Sequence, residues 1–342
     1  MNSCVLTIAI AAYNVENYLK STLDSLLTLD GLAVEVIVVN DGSSDSTKLI
    51  IDEYCKSYPN LFLQINKNNG GWGSTLNAAF KIARGKYIKQ LDGDDLFDSQ
   101  NLIEFVNYLK NCNSDLVVTP YNTFRNFPNE QNHCCEFREL YNATKISDRI
   151  EDLLTHYPYL QMHAACFKTE IIQKNKILIS EHCFYTDVEY MVKAIIHCST
   201  MSYFDKTIYL YRLGRNGQSV SVSGMKKHFK DHQFVLFNLL DILSNLNKNS
   251  IIKEVIKKRI SIMAIANYDY LLCANATEKT RTLLEDFDNR LKNYNEVYLI
   301  SNSTKIKLMR FTKFKFSNIF KIFYLFELKT KDLYHFLSFL RF

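Results

Sequence analysis

Residues 34–46 read VEVIVVNDGSSDS, and this stretch decides the fold. Its β-branched half predicts a buried strand, and its polar half predicts a turn that caps the following helix. Apolar runs predict four more strands, at 5–11, 61–65, 87–91 and 116–119. Apolar residues at helical spacing lie between these runs. This alternation predicts an α/β fold with a mostly parallel central sheet and flanking helices.

Polar clusters stand where the predicted strands end. The second strand ends at Asp41, the third leads into the glycine-rich loop 70–73, and the fourth ends at residues 92–95, which read DGDD. Ligands of parallel sheets bind beyond the carboxyl ends of the strands. The sequence therefore predicts a ligand site along this edge.

The cluster of Asp92, Asp94 and Asp95 concentrates negative charge. Two carboxylates about 4 Å apart repel by roughly 4 kcal/mol at an effective dielectric near 20, so such a cluster favours a bound cation. Carboxylate oxygens suit Mg²⁺ or Mn²⁺. The alternative is a solvated Asp-Gly turn before the helix at Ser99.

Two more features of this edge are ambiguous when taken alone. Asp41 can accept hydrogen bonds from a ribose or a base edge, or it can form an Asx-turn. The loop around Gly71 can approach phosphates or simply turn the chain, and it lacks the spacing of a P-loop.

Candidate residues for a second substrate lie further along the chain. Asp187, near the start of a predicted helix, is the candidate general base, although the helix dipole alone also favours an Asp there. Glu189 would project from another face of that helix. The loop 212–219 is basic and rich in amides, which suits a diphosphate or a surface turn.

The spacing of His228 and His232 on a predicted helix allows both imidazoles to face one metal ion. No H-E-x-x-H pattern accompanies them, so the alternative is an exposed pair on a helix face.

Composition describes an ordinary globular protein of 342 residues, 47% hydrophobic and 23% charged. The start of the chain has no secretory signal pattern, and no apolar stretch predicts a membrane span. Nine scattered Cys without a C-x-x-C pair are typical of reduced thiols. After Ser223 the sequence is largely helical.

The charge is concentrated at the C-terminal end. Residues 305–342 hold nine Lys or Arg against two acidic residues, together with eleven aromatic residues. Such a tail fits an anionic membrane surface, or alternatively a packing or oligomer face. The rest of the chain carries no net excess of positive charge, so we expect no nucleic-acid partner.

Together the motifs resemble the family 2 glycosyltransferases of the GT-A fold, over roughly residues 4–222. The matching stretches read IAIAAYN at 8–14, VVNDGSSD at 38–45, ARGKYI at 83–88 and LDGDD at 91–95. The stretch 209–219 is similar to bacterial members that build surface polysaccharides. Departures from the family pattern are Ala12 for Pro, Asn40 for Asp and Thr186 for Glu.

The resemblance implies roles for individual residues. Asp187 would be the catalytic base, and Asp92 and Asp94 would meet the ribose and a divalent metal, Mn²⁺ or Mg²⁺. His228 and His232 are possible additional metal ligands on the strength of their spacing, apart from the resemblance. The residues expected to bind the nucleotide-sugar are Ala12, Tyr13, Asn14, Asp41, Gly71, Asp92, Gly93, Asp94, Arg212, Arg215, Gln218 and Ser219.

The predicted function is inverting, metal-dependent transfer of a hexose or N-acetylhexosamine from UDP to a hydroxyl of a glycan acceptor. We expect a lipid-linked acceptor in capsular or exopolysaccharide synthesis, and a cytoplasmic protein peripheral to the inner face of the membrane. Alternatives are a protein or teichoic-acid glycosyltransferase, a nucleotidyltransferase, or a non-catalytic nucleotide-sugar-binding protein. The expected domains are 1–222 (halves 1–124 and 125–222), a helical region 223–304, and the tail 305–342.

Overall fold

The computed structural model describes residues 4–125, 132–134, 148–156, 160–213, 222–247, 250–274 and 279–325. The chain divides into two compact units, Met1–Arg215 and Asn216–Phe342. The predicted domain limits at 222 and 304 stay predictions.

The first unit contains a seven-stranded sheet, as the alternation of strands and helices predicts. Its order is β10-β6-β9-β4-β1-β2-β3. The strands are β1 (Leu6–Ala12), β2 (Val34–Asn40), β3 (Phe62–Asn66), β4 (Tyr87–Asp92), β6 (Leu116–Val118), β9 (Ala165–Lys168) and β10 (Met201–Tyr203). Strands β3, β2, β1 and β4 pair in parallel, whereas β9 runs antiparallel between β4 and β6.

A smaller four-stranded sheet lies in the same unit, in the order β5-β11-β7-β8. Its strands are β5 (Leu96–Phe97), β7 (Tyr121–Phe124), β8 (Asn132–Cys134) and β11 (Tyr209–Arg212). Because β5 follows the DGDD cluster directly and pairs with β11, the second sheet brings residues 209–212 to that cluster.

The helices of the first unit connect these strands. They are α1 (Glu16–Asp24), α2 (Thr47–Ser57), α3 (Trp72–Ile82), α4 (Ser99–Asn111), α5 (Ile150–His156), α6 (Thr169–Lys174) and α7 (Thr186–Ile195). In β1 the residues Leu6 to Ile10 are all buried, and successive side chains point to opposite faces, so both faces of the sheet are covered.

Buried hydrogen bonds connect the starts of β1 and β2 to the segment before β4. Thr7 donates to Glu35 at 2.7 Å, and Glu35 in turn accepts from the backbone and side chain of Arg84. Gly85 lies so close to β1 that a Cβ atom there would stand 2.4 Å from the Thr7 nitrogen. The segment 83–88 therefore sets the alignment of β1, β2 and β4.

The second unit is helical, as expected. Its helices are α8 (Val222–Asn245), α9 (Ile251–Cys273), α10 (Thr280–Leu291), α11 (Asn295–Ile300) and α12 (Thr304–Phe311), and residues 317–325 are helical as well. Among the described residues, none of the helices is both long and apolar enough to cross a membrane.

Candidate functional site

The carboxylate of Asp41 organises the glycine-rich loop. It follows β2, is almost fully buried, and accepts hydrogen bonds from the backbone N–H groups of Gly70 and Gly71 at 2.9 and 2.8 Å. Lys67 forms an ion pair with it at 2.6 Å. A carboxylate has about four acceptor positions, and at least three of those on Asp41 are taken by Lys67, Gly70 and Gly71. The structure therefore gives Asp41 a loop-holding role that the sequence did not indicate.

The side chain of Trp72 links this loop to the carboxylate cluster. Its Nε1 donates to Asp92 Oδ1 at 2.8 Å, and its ring packs edge-on against Tyr190 of α7. The Gly93 backbone runs within contact distance of Ala11, where a Cβ atom would stand 2.9 Å from the carbonyl oxygen. Trp72 thus orients Asp92 and connects it to the helix that carries Asp187.

Asp95, the last residue of the cluster, is buried and fixed by the second sheet. Its carboxylate accepts from the Tyr209 hydroxyl at 2.6 Å and from the backbone N–H of Arg212 at 2.7 Å. Burial, and then the charges of Asp92 and Asp94, raise the pKa of Asp95 well above its usual range. The three carboxylates therefore crowd one another, which is the condition that favours a cation.

The guanidinium of Arg212 lies against the same cluster. Its Nε donates to the carbonyl of Asp94 at 2.7 Å, and the group sits over the rings of Tyr18 and Phe124. Arg212 therefore supports the loop that carries Asp94. Its expected contact with a diphosphate stays a prediction, and Arg215, Gln218 and Ser219 lie outside the described residues.

Asp187 is exposed in the first turn of α7, where the sequence placed it. Glu189 is fully buried instead, paired with Lys193 at 2.6 Å and bonded to Ser180. This arrangement leaves Asp187 as the accessible carboxylate of that turn.

The ring of Tyr211 stacks on His163, whose imidazole lies beside Asp92 and Asp95. Burial raises the pKa of Tyr211, and the charges of Asp95, Asp92, Asp94 and Asp187 raise it further. These negative charges disfavour the ionised form of the phenol, so Tyr211 stays a neutral aromatic side chain next to the cluster.

The turn after β1 joins the turn after β2. Asn14, although a residue type that often caps helices, does not cap α1, since its side chain accepts from the Ser44 backbone. The start of α1 is instead held by Thr47 and Asp45, which accept from the N–H groups of Val15 and Glu16. Next to it, Ala12 is buried and Tyr13 is half exposed, so its ring is accessible to a stacked base.

The two histidines of the second unit have other partners. His228 breaks the regular geometry of α8 and pairs with Asp231, while His232 is buried, bonded to Asn267 at 3.0 Å and stacked on Tyr270. Burial lowers the pKa of His232 to about 4. These contacts describe a core histidine, and they do not support the expected shared ion.

Divalent-metal ligands do assemble at the DGDD cluster. Among the described residues, Asp92, Asp95 and His163 offer ligand atoms that all lie within 4.8 Å of one another. Carboxylate oxygens and an imidazole nitrogen suit Mn²⁺ well. The group contains Asp92, one of the two expected metal ligands, and its chemistry fits a divalent ion, while the role of Asp94 as a ligand stays a prediction.

Sequence reasoning missed Trp72, His163 and the structural role of Asp95. The available signal for Trp72 was that it is the single Trp of the chain and stands in the glycine-rich loop. No local pattern marks His163, because its neighbours come from β4 and β11, more than 40 residues away in each direction.

A parallel sheet with an acidic cluster at its carboxyl edge, joined to a second small sheet, defines the GT-A class of glycosyltransferases. Residues 7–174 match the model of Glycosyl transferase family 2, and the chain belongs to this family. The resemblance seen in the sequence is therefore confirmed.

Curated relatives include teichoic-acid enzymes. The chain is 30% identical over 245 residues to the minor teichoic acid biosynthesis protein GgaB of Bacillus subtilis, covering 68% of this chain and 26% of GgaB. It is 28% identical over 286 residues to a poly(ribitol-phosphate) beta-glucosyltransferase of Bacillus spizizenii, covering 81% of this chain and 42% of that enzyme. The chain thus spans less than half the length of these two relatives.

Solved structures share the fold. S. aureus TarS 1–349 in complex with UDP-GlcNAc has a TM-score of 0.58 at 18% identity, covering 87% of this chain and 90% of that one. The mannosyltransferase PcManGT of Pyrobaculum calidifontis, in complex with GDP-Man and Mn²⁺, has a TM-score of 0.56 at 17% identity, covering 88% and 86%.

Proposed function

We propose that the chain transfers a hexose or N-acetylhexosamine from a UDP-sugar to a hydroxyl of a bacterial surface polymer. The observation that carries the proposal is the acidic cluster at the carboxyl edge of the parallel sheet, where ligand atoms of Asp92, Asp95 and His163 lie within 4.8 Å of one another in a chain that matches a glycosyltransferase family model. A base facing the acceptor and an acidic cluster facing a nucleotide diphosphate are the two parts that sugar transfer needs.

The donor would bind along the carboxyl edge of β1, β2 and β4. The exposed ring of Tyr13 would stack on the base, and the Asp41 carboxylate would accept from a base N–H, with Ala12 and Asn14 shaping the turn. The Gly71 backbone and Arg212 would lie toward the diphosphate. In S. aureus TarS and in PcManGT, nucleotide-sugars are bound by the same fold.

Asp92 and Asp94 would hold Mn²⁺ or Mg²⁺. The positive charge of the ion would offset the negative charge of the departing diphosphate. Trp72 keeps the Asp92 carboxylate oriented. Asp187 would take the proton of the acceptor hydroxyl as the new bond from that oxygen to the anomeric carbon forms. The bond from the anomeric carbon to the diphosphate oxygen breaks with its electrons going to the diphosphate. Inversion at that carbon is proposed by family analogy.

The relatives favour a teichoic-acid type of acceptor over a capsular one. GgaB and the Bacillus spizizenii enzyme are named for teichoic acid and poly(ribitol-phosphate). We therefore place a polyol-phosphate polymer first among acceptors, and a lipid-linked glycan second.

Residues 304–323 would attach the chain to the inner face of an anionic membrane. Phe311, Ile322 and Phe323 are 85, 68 and 69% exposed and lie within one short segment of the chain. The exposed Lys307, Lys313 and Lys315 stand beside them. Each such cation contributes about 1 kcal/mol near an anionic leaflet, so charge complementarity favours a bilayer.

The proposal is tested by incubating the chain with UDP-, GDP- and dTDP-sugars and Mn²⁺, first without and then with poly(ribitol phosphate) or a lipid-linked glycan. We expect slow hydrolysis of a UDP-sugar and a mass increase of one sugar on the acceptor. The Asp94→Asn variant should lose both activities. Full transfer in excess chelator would overturn the metal-dependent mechanism.

A further inference from the structure

The buried imidazole of His163 has no hydrogen-bond partner among the described residues of the first unit. His163 is 6% exposed, and neither ring nitrogen forms a hydrogen bond with any described residue. A buried polar group without a partner costs about 1–3 kcal/mol. A buried group of this kind calls for an explanation, and an ordered water or a bound ion is one that satisfies its nitrogen atoms.

The surroundings fix the position of this ring. It stacks on Tyr211 with ring centroids 4.4 Å apart and meets Tyr209 edge-on at 4.8 Å. The buried ammonium of Lys89 holds the backbone below it, donating to the carbonyls of His163 and Ala165 at 2.8 and 3.0 Å. His163 is therefore held in place by packing and by its own backbone.

One ring nitrogen of His163 lies near two carboxylates. The ligand atoms of His163, Asp92 and Asp95 all lie within 4.8 Å of one another. A divalent ion with ligands at about 2.1 Å needs neighbouring ligand atoms roughly 3–4 Å apart, so small side-chain movements suffice to close the group around one ion. Both carboxylates are already oriented, Asp92 by Trp72 and Asp95 by Tyr209.

We propose that His163, Asp92 and Asp95 form a divalent-cation site with one nitrogen and two oxygen ligands. This site differs from the pair Asp92 and Asp94, because it uses the buried Asp95 and an imidazole from the turn before β9. The nitrogen ligand favours Mn²⁺ over Mg²⁺, which prefers oxygen. Three protein ligands leave up to three positions of an octahedral ion for water or substrate oxygens.

The experiment measures Mn²⁺ binding to the full chain by electron paramagnetic resonance at pH 7.5 without nucleotide. We expect one bound Mn²⁺ whose electron spin-echo modulation shows a directly coordinated ¹⁴N nucleus. His163→Gln should remove the modulation and weaken binding by about tenfold or more. The matched control His197→Gln changes an exposed histidine of the same unit and should leave both unchanged. Asp94→Asn should keep the nitrogen signal.

Isotope labelling removes any dependence on how well a variant folds. In the wild-type chain labelled with ¹⁵N-histidine, the ¹⁴N modulation should be replaced by the ¹⁵N frequency. Absence of nitrogen coupling in the wild-type chain, absence of Mn²⁺ binding, or an unchanged spectrum in His163→Gln would overturn the proposal.

The inference shares its site with the proposed function, and its failure can be told apart from failure of that function. Donor hydrolysis without nitrogen coupling would reject the His163 site and keep the transferase. Nitrogen coupling without hydrolysis or transfer of any sugar nucleotide would keep the cation site and reject the proposed reaction.

Discussion

The accessible carboxylate at the start of α7 is the residue on which the proposed chemistry depends most. Asp187→Asn keeps the size of the side chain but cannot take up a proton, so transfer should fall by about 10²–10⁴-fold. Donor binding, measured by calorimetry with UDP, should be unchanged because the base faces the acceptor. Glu181→Gln, an exposed change six residues earlier, serves as the control. Transfer by Asp187→Asn at the wild-type rate would assign the base to another group.

Trp72 makes a directional contact that can be removed by itself. Trp72→Phe keeps an aromatic ring against Tyr190 but loses the N–H that donates to Asp92. A hydrogen bond to a charged group contributes about 1.5–3 kcal/mol, so kcat/KM for UDP-sugar hydrolysis should fall by about 10- to 100-fold. The thermal unfolding midpoint serves as the control for packing. Unchanged hydrolysis would show that Asp92 needs no support from this ring.

Residue types at strand ends were predictable, whereas their partners were not. Asp41, Asp92 and Asp94 follow directly from the rule that parallel sheets bind ligands at their carboxyl ends. The hydrogen bond from Tyr209 to Asp95, in contrast, joins residues 114 positions apart. No local pattern contains such a pair, so the roles of Asp95 and His163 emerge only from the folded chain.

At the scale of elements, the packing of α8 on α9 carries a pH-dependent contribution to stability. Burial lowers the pKa of His232 to about 4, below the value of about 6.5 in an unfolded chain. The unfolded chain therefore takes up the proton first as the pH falls. Stability is fully present above about pH 6.5 and is lost toward pH 4, by about 3 kcal/mol at most.

Denaturant titration at pH 7 and pH 4.5 checks this expectation. His232→Gln keeps a donor for Asn267 and does not titrate, so its stability should fall less between the two pH values than that of the wild-type chain. Equal losses in both proteins would assign the acid sensitivity to other groups.

The presence of the parallel strands β1 to β4 was predictable because apolar runs alternate with helical segments in this part of the chain, whereas their order in the sheet was not predicted. The antiparallel direction of β9 was not predictable, since a four-residue strand has no sequence feature that gives its direction. Its position between β4 and β6 matters for the site, because the turn before β9 carries His163.

At the scale of the whole molecule, counts of charged and aromatic residues describe the C-terminal segment as one uniform stretch. The structure instead divides its large side chains into buried and exposed ones. Ile306, Met309 and Phe314 are buried in the second unit, and Arg310 forms an ion pair with Asp288 at 2.7 Å. Leu308, Phe316 and Ile319 are about half exposed. Composition cannot separate these two groups, because both contain large apolar side chains.

Membrane attachment is therefore best tested by surface substitution. Flotation with vesicles of phosphatidylglycerol should be abolished by the combined substitutions Phe311→Ser, Ile322→Ser and Phe323→Ser. A second variant, Lys313→Glu with Lys315→Glu, should weaken flotation more at low than at high salt, because salt screens the charges. Turnover on a short water-soluble acceptor should be unchanged. The burial of Ile306 and Met309 predicts instead that deletion of residues 305–342 destabilises the second unit. Retained flotation, or a shift from dimer to monomer in the serine variant, would favour an oligomer face.

The carboxylate of Asp41 has a kinetic consequence for the glycine-rich loop. Surface loops normally exchange their amide hydrogens with solvent quickly, but the Gly70 and Gly71 amides donate to a buried carboxylate. Their deuterium uptake, followed by mass spectrometry, should therefore be as slow as that of a helix. In Asp41→Ala these amides should become labelled early, while uptake in α4 stays the same. Because nucleotide would meet a loop already immobilised, its binding should cost little ordering entropy there.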